Sequence, residues 1–440
     1  MTNNLQKYPN YKPSGVEWLG DIPEHWEVSR IGLLLNSVTE KNRIDLPLLS
    51  ITREKGVILR DLDNEDENHN FIPDDLSNYK VLRKGEFGMN KMKAWQGSYG
   101  ISDFDGIVSP AYYTFILGKN IEPTFFHVSI RSKLYISFFG SASDGVRIGQ
   151  WDLSRERMKQ IPFLIPPLTE QIRIAEFLDR KTAQIDQAIA IKVKQIELLK
   201  ERRQILIHRA VTKGIKPDVK MKDSGVEWIG EIPEHWEVKK LRYTFRFGKG
   251  LTITKENLIE EGVLCVNYGE IHSKYSFELK PEIHKLKCVA HEYLESNSSS
   301  LLNKGDFIFA DTSEDIEGSG NFTFLNSLIP VFAGYHTIIA RPIRNNNSKF
   351  LAYEFDSIGF RTQIQNRVKG VKVFSITQTI LKELKLWFPS FEEQEEIVKY
   401  LDSISQKITT ATSLKEQEIE KMKEYKSVLI NGAVTGKIKV

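Results

Sequence analysis

The chain has 440 residues and only two cysteines, Cys265 and Cys288. A disulfide framework is excluded, and a reducing cytoplasm is the expected setting. Long apolar runs are missing too. No stretch approaches the roughly 18 uninterrupted apolar residues of a membrane span, so no membrane association is expected. The N-terminal MTNNLQKYPNYKPSG is polar and lacks the apolar centre of a signal peptide. Excess charge of one sign is also absent. Lys+Arg number 61 and Asp+Glu 58, a net +3, so bulk charge gives no nucleic-acid footprint. No G-x-x-x-x-G-K-[ST] loop occurs, which excludes a P-loop motor. The one Pro-Pro pair, Pro166-Pro167, follows Ile165, so an Asn/Asp-Pro-Pro-aromatic methyltransferase motif is missing, as is a glycine-rich cofactor loop. What remains is a hydrophobic fraction of 40%, enough for real cores. At roughly 150 residues per domain, the length implies two or three domains.

What is present is a repeat. Residues 14–28 read SGVEWLGDIPEHWEV and residues 224–238 read SGVEWIGEIPEHWEV, identical at 13 of 15 positions with an offset of 210. Further on, PPLTEQIRIAEFLD (166–179) matches PSFEEQEEIVKYLD (389–402) at an offset of 223. Ala210-Val211-Thr212 then matches Ala433-Val434-Thr435. A period above 200 residues is domain duplication rather than a solenoid. Each copy has one plan: an aromatic clip, a mixed globular segment, a Glu-Gln junction and a long helix. The clips are close copies, whereas the middles (29–165 and 239–388) have diverged. The boundaries that follow are 1–165, 166–214, 215–388 and 389–440.

The middles read as mixed α/β (α+β). β-Branched and aromatic runs alternate with turn residues at KGEFGMNKM (84–92), YYTFIL (112–117), KGDFIFAD (304–311) and HTIIARP (336–342). Lys84-Gly85-Glu86-Phe87 mirrors Lys304-Gly305-Asp306-Phe307, Tyr112-Tyr113-Thr114 mirrors Tyr335-His336-Thr337, and Gly145-Val146-Arg147 mirrors Gly370-Val371-Lys372.

After each junction, apolar residues recur at helical spacing: Ile172, Ala175, Leu178, Ile185, Ile189, Ile196, Leu199 and Leu206, then Ile397, Leu401, Ile404, Ile408, Ala411, Met422 and Leu429. Thr169 is the expected N-cap of the first helix, and Ser390-x-x-Glu393 is a capping box for the second. Helices of about 43–46 residues run roughly 65–70 Å, too long for the inside of a small domain, and the stripe reads as a coiled-coil seam. Residues 168–213 carry net +4 and residues 391–433 net −3, which favours pairing of one helix with the other. A pseudo-twofold relation between the copies would make them antiparallel.

These motifs together resemble the specificity (S) subunit of type I restriction–modification enzymes, and the resemblance covers essentially the whole chain. It implies that each middle is a target-recognition domain and that the paired helices act as a spacer. The subunit would read a split, asymmetric site on double-stranded DNA and have no catalysis or cofactor of its own. Two methyltransferase (M) subunits, with restriction/motor (R) subunits for cleavage, would be its partners.

Base-reading candidates follow from side-chain chemistry, since Lys donates to guanine O6/N7 and Gln bridges adenine N6/N7. In the first module they are Lys91, Lys93, Trp95, Gln96 and Tyr99 in NKMKAWQGSYG, then Arg147 and Gln150. In the second they are Thr312, Ser313, Tyr335, His336, Arg361, Lys369 and Lys372. Glu24-His25-Trp26 and Glu234-His235-Trp236 pair an acid with a histidine, yet both copies are alike while the middles diverge. A packing clip built on Trp18, Ile22, Pro23 and Trp26 explains that better than acid–base catalysis. Asp218, Glu237 and Lys239 loosely match a metal-dependent nuclease, but Ser29 replaces the lysine in the first copy. His284, Cys288 and His291 with Cys265 lack a standard zinc spacing. The rival of another class is a two-headed coiled-coil scaffold that does not bind DNA.

Overall fold

A computed structural model describes residues 6–61, 72–147, 150–343, 346–368, 370 and 373–440. The chain forms two compact units, residues 1–193 with 416–440, and residues 194–415. Each unit therefore takes one globular segment and part of both long helices, Leu168–Lys213 and Phe391–Val434. Among the described residues no helix is long and apolar enough to cross a membrane.

In both units the strand after the clip closes on the strand before the long helix. Glu27–Arg30 pairs antiparallel with Pro162–Ile165, and Glu237–Lys240 with Lys385–Phe388. The two ends of each module are thus hydrogen-bonded to each other, which fixes where the helix leaves. Between them, the first module builds a four-stranded antiparallel sheet in the order Leu35–Ser37, Tyr113–Leu117, Phe87–Met89, Tyr99–Ile101. The second repeats that order with Phe245–Lys249, Thr337–Pro342, Phe307–Ala310 and Phe322–Leu325. It then adds Phe277–Leu279 in parallel. The expected mixed α/β architecture is what forms.

The Lys-Gly-acid-Phe correspondence holds in detail. Gly85 and Gly305 both turn with positive φ, at 86° and 92°. Glu86 accepts from the Arg83 N–H at 2.9 Å, and Asp306 from the Asn303 N–H at 2.8 Å. Strand register then corrects the neighbouring match. Thr114 lies opposite Gly88, while Ile339 lies opposite Ile308, the position matching Gly88. The equivalent of Thr114 is therefore Ile339, two residues beyond Thr337. A two-residue slip keeps every side chain on its face, so the sequence pattern does not reveal it.

The junction motif is explained by the bonds it makes. Gln171 is fully buried, accepts from the Glu122 N–H at 2.9 Å, and donates to the carbonyls of Asn120 and Pro166. Gln394 accepts from the Asn347 N–H at 2.9 Å and donates to Asn346 and the Pro389 carbonyl. Glu122 and Asn347 are themselves N-caps of helices in their modules. One glutamine thus ties the long helix to a module helix in each unit. The glutamate beside it holds the clip. Glu170 accepts from His25 Nε2 at 2.8 Å and from the Tyr8 hydroxyl. Glu393 takes His235 Nε2 at 2.8 Å and Trp236 Nε1 at 3.3 Å.

Three expectations about the clip and helix starts need correction. Trp26 and Ile22 are fully buried, but Trp18 is 46% exposed and lies against Phe138 at the rim. Thr169 does not cap: the first helix begins at Leu168, and the Pro167 carbonyl takes the Glu170 and Gln171 N–H groups. Ser390 does cap, accepting from the Glu393 N–H at 3.3 Å, but the Glu393 carboxylate goes to the clip rather than back to the cap.

The two long helices run antiparallel within each unit. In the first, Lys426 meets Asp186 at 2.6 Å and Lys192 meets Glu418 at 2.5 Å. In the second, Lys415 meets Gln195 at 2.7 Å, and Lys216, just past its helix, meets Glu396 at 2.9 Å. The seam is buried at Ile174, Ala175, Leu178, Ile196, Ile207, Ile397, Leu401, Ile419 and Leu429. Ile185, Ile189, Ile404, Ile408 and Ala411 are half-buried, as a two-helix seam allows. Ile172 faces solvent at 41% exposure, and Ile174 takes the inward place.

Glu354 is a fully buried carboxyl in the second module. Its Oε1 accepts from the Trp387 N–H at 3.0 Å, and its Oε2 has no partner among the described residues. Burial pushes this carboxyl well above the usual carboxylate range, against a smaller opposing effect of the Trp387 N–H. A raised acid keeps its proton in the fold after the unfolded chain has lost it. Stability must then fall as pH rises from the ordinary carboxylate range toward the folded value. Glu354→Gln, which needs no proton, should melt later than the parent at pH 8 and close to it at pH 4.5. Thermal melts at both pH values check this, with about 2–4 °C expected per kcal/mol.

Candidate nucleic-acid interface

The two modules place loops of opposite character at one position. In the first, Phe87–Met89 and Tyr99–Ile101 are antiparallel neighbours, so residues 90–98 form the loop between them. The Asn90 N–H bonds the Ser98 carbonyl across its base. Arg131 braces it from below, donating to the carbonyls of Gly97 and Tyr99. In the second, Phe307–Ala310 and Phe322–Leu325 flank residues 311–321, and the Ala310 N–H bonds the Asn321 carbonyl.

A second segment seals each loop in the same way. The Leu153 N–H donates to the Lys91 carbonyl, and the Ile376 N–H donates to the Asp311 carbonyl. Lys91 and Asp311 are thus structural equivalents. The first loop carries Lys91 and Lys93 with Trp95. The second carries Asp311, Glu314, Asp315 and Glu317.

Four of the first module's candidates lie together on their loop. Lys93 is exposed, while Lys91 is partly exposed and 3.2 Å from Asp152. Trp95 and Gln96 are half-buried. Trp95 stacks on Trp151 with centroids 4.9 Å apart and planes 24° apart. Trp151, which sequence reasoning missed, stands on the hairpin Ser143–Arg147/Gln150–Leu153 and is 37% exposed. Gly145 makes room for it, since a Cβ there would sit 2.6 Å from the Trp151 indole nitrogen. Tyr99 must be withdrawn. It is fully buried in the core on the returning strand, and its hydroxyl donates to the Ile130 carbonyl at 3.0 Å, so no base can reach it. Arg147 and Gln150 lie on the hairpin, but their side chains fall outside the described residues.

In the second module, Thr312, Ser313 and Arg361 line one cavity of about 910 Å³ with Tyr268, His272 and Asp315. Thr312–Ser313 pairs antiparallel with Phe374–Ser375. Ser313 is buried. Arg361 is a correction. Its guanidinium donates to the carbonyls of Glu317 and Ser319 and to Asn321 Oδ1 at 2.7 Å, so it positions the loop as Arg131 does in the first module. His336 stands at the mouth of the strand Thr337–Pro342 with φ 54°, exposed, its Nδ1 3.2 Å from Asp311. Tyr335 is half-buried and packs edge-on against Tyr268 at 5.6 Å. Lys369 and Lys372 fall outside the described residues.

The patterns set aside from sequence have structural partners instead. His25 and His235 are bound to the junction glutamates. Glu237 and Lys239 are ion-paired on the strand that closes the module. Cys265 and Cys288 are buried on neighbouring strands, and His284 stacks on Tyr275. Among the described residues no group of three or more His, Cys, Asp or Glu is arranged to hold a metal ion.

The sequence matches the type I restriction modification DNA specificity domain twice, over residues 23–197 and 233–421. It is 26% identical over 429 residues to the MjaVIII type I restriction enzyme specificity subunit of Methanocaldococcus jannaschii, covering 95% of this chain and 94% of that protein. The EcoKI specificity subunit of Escherichia coli is 25% identical over 431 residues, covering 89% and 86%. Among solved structures, a chain from work on complex assembly and conformational transition of the type I R-M system aligns with TM-score 0.70 at 15% identity, covering 94% of this chain and 98% of that one. The HsdS subunit from Thermoanaerobacter tengcongensis aligns with TM-score 0.54 at 16% identity, covering 95% and 98%.

Proposed function

The chain belongs to the type I restriction–modification DNA specificity family, and on that premise we propose that each module reads one short half of a split, asymmetric site on double-stranded DNA. The bases between the halves go unread, and the long helices set their number. Each helix is about 65–70 Å long, more than the roughly 34–36 Å of one duplex turn, so length suffices for such a spacer. The chain supplies recognition only. Two methyltransferase subunits dock on it and modify one adenine in each half-site, and motor-nuclease subunits join for cleavage, all in the cytoplasm.

One observation carries this reading. The bonds of clip and junction recur in both units, while the loops at the equivalent position change from carrying Lys91 and Lys93 to carrying Asp311, Glu314 and Asp315. A scaffold kept constant under two different faces suits two readers with two targets. In this reading Lys91, Lys93, Trp95 and Gln96, with Arg147 and Gln150, serve the first half-site. Thr312, Ser313, Tyr335 and His336, with Lys369 and Lys372, serve the second. The test is single-molecule sequencing of host DNA for methyladenine. A split asymmetric motif should be present and should vanish when the gene is deleted. A methylation pattern indifferent to deletion would refute the proposal.

A further inference from the structure

The first module carries a cationic surface. Its centre is Tyr113, which lies opposite Met89 on the central strands. Lys80 Nζ stands 6.0 Å from the Tyr113 ring centroid and the Arg155 guanidinium 5.8 Å. Lys80 also donates to the Tyr112 carbonyl at 2.6 Å, which fixes its stem. Lys41 is bridged backbone to backbone with Lys80. From Met89 the chain runs directly into Lys91 and Lys93, and the Leu153 N–H on the Lys91 carbonyl brings Arg155 to the same side. Burial, then the nearby charges of Lys41, Arg155 and Lys91, lowers the Lys80 pKa from its ordinary value.

Among the described residues, counter-charge is thin. Asp152 meets Lys91, and Glu40, the acid on the neighbouring segment, is engaged by Arg83 at 2.8 Å. Lys41, Lys93 and Arg155 are exposed, and none has a carboxylate partner among the described residues. Lys80 and Arg155 flank the Tyr113 ring, Lys41 and Lys91 lie close enough for their charges to act on Lys80, and Lys93 follows on the same loop as Lys91. Gathering these cations costs folding free energy through their mutual repulsion. A polyanion laid across them reverses that cost. Nor is the patch inherited scaffold. Where the duplication keeps a residue for the fold, both modules have it, but Lys91 becomes Asp311 and Lys93 becomes Ser313 in the second module.

We infer that Lys41, Lys80, Lys91, Lys93 and Arg155 around Tyr113 form a phosphate-binding grip for the DNA backbone. The grip puts a salt-dependent part of DNA binding on the first module. The inference rests on the DNA-reading proposal above and adds to it where the phosphates are held, moving Lys91 and Lys93 from base edges to the backbone and leaving Trp95 and Gln96 to read. Phosphate contacts position a protein without reading sequence, so the grip should govern affinity and salt dependence but not the bases chosen.

The test uses the full chain co-purified with its methyltransferase subunit and a duplex oligonucleotide carrying the methylated motif. The triple variant Lys41→Gln/Lys93→Gln/Arg155→Gln removes three exposed charges and leaves the Lys80 hydrogen bond in place. A thermal melt confirms that it folds. Each phosphate contact contributes about 0.9 to the slope of log K against log salt. The triple variant should flatten that slope by about 2–3 and lower affinity at 50 mM salt at least tenfold. Lys119→Gln/Lys133→Gln, two exposed lysines elsewhere on the module, should leave it unchanged. Specific binding with an unaltered slope in the triple variant overturns the grip and leaves the reading intact. Absence of any duplex binding by the parent complex overturns both.

Discussion

Gln394→Leu should destabilise the second unit by about 3–5 kcal/mol, and Gln171→Leu should do the same to the first. Gln171 is fully buried and Gln394 nearly so, and in each unit the amide satisfies backbone groups with no other partner among the described residues. Leucine keeps approximate volume, so little of the loss is cavity. What is lost is pairing: the Asn347 N–H and the Pro389 carbonyl in one unit, the Glu122 N–H with the Asn120 and Pro166 carbonyls in the other. Each buried group left unpaired costs about 1–3 kcal/mol. The loss falls at helix starts, since Asn347 and Glu122 are the N-cap residues of module helices. Melting of each variant should show its own unit unfolding 6 °C or more early, at about 2–4 °C per kcal/mol. Parent-like melting of both variants would mean that the junction motif is not the tie described here.

Gly436→Val should be nearly as damaging, and far worse than Gly214→Ala. Both glycines follow a long helix with positive φ, 70° and 72°, as the left-handed residue that ends a helix. Their surroundings differ. A Cβ on Gly436 would lie 2.3 Å from Pro23 and 3.3 Å from Trp26, in the clip of the first unit. A Cβ on Gly214 would meet nothing closer than 3.4 Å. Gly214→Ala therefore carries only backbone strain, about 1–2 kcal/mol. Gly436→Val adds a clash and a β-branched side chain at positive φ, for an expected 3 kcal/mol or more. The C-terminal segment would be displaced with it, because the Lys439 N–H pairs with the Gln6 carbonyl and the Tyr11 hydroxyl with the Gly436 carbonyl. Urea unfolding of the two variants against the parent measures the difference.

The scaffold was legible because duplication printed it twice. SGVEWLGDIPEHWEV and the Glu-Gln junction could be read as packing rather than chemistry, and the structure shows their bonds. The long helices were legible from periodicity, although Ile172 and Thr169 show how a seam position and a helix start can be misplaced. The last turn of the second helix also holds Gly432, where a Cβ would meet Ile438 of the tail folding back on it. The reading surface was only half legible. Lys91, Lys93, Trp95 and Gln96 are neighbours in sequence and stay neighbours in space. Lys41, Lys80, Tyr113, Arg155 and Trp151 come from other segments of the module, strands and a helix start among them, and no local pattern joins them. Tyr99 and Arg361 failed for the opposite reason. Composition marked them as contacts, but strand register turns the tyrosine inward, and loop carbonyls engage the arginine.

Independent reading by the two modules predicts the outcome of replacing residues 29–165 with the corresponding segment of another family member and mapping methyladenine in cells carrying the chimera. One half-site should change to that of the donor, while the other half-site and the unread spacing stay as they were. A chimera that methylates DNA with both half-sites altered together would contradict the claim.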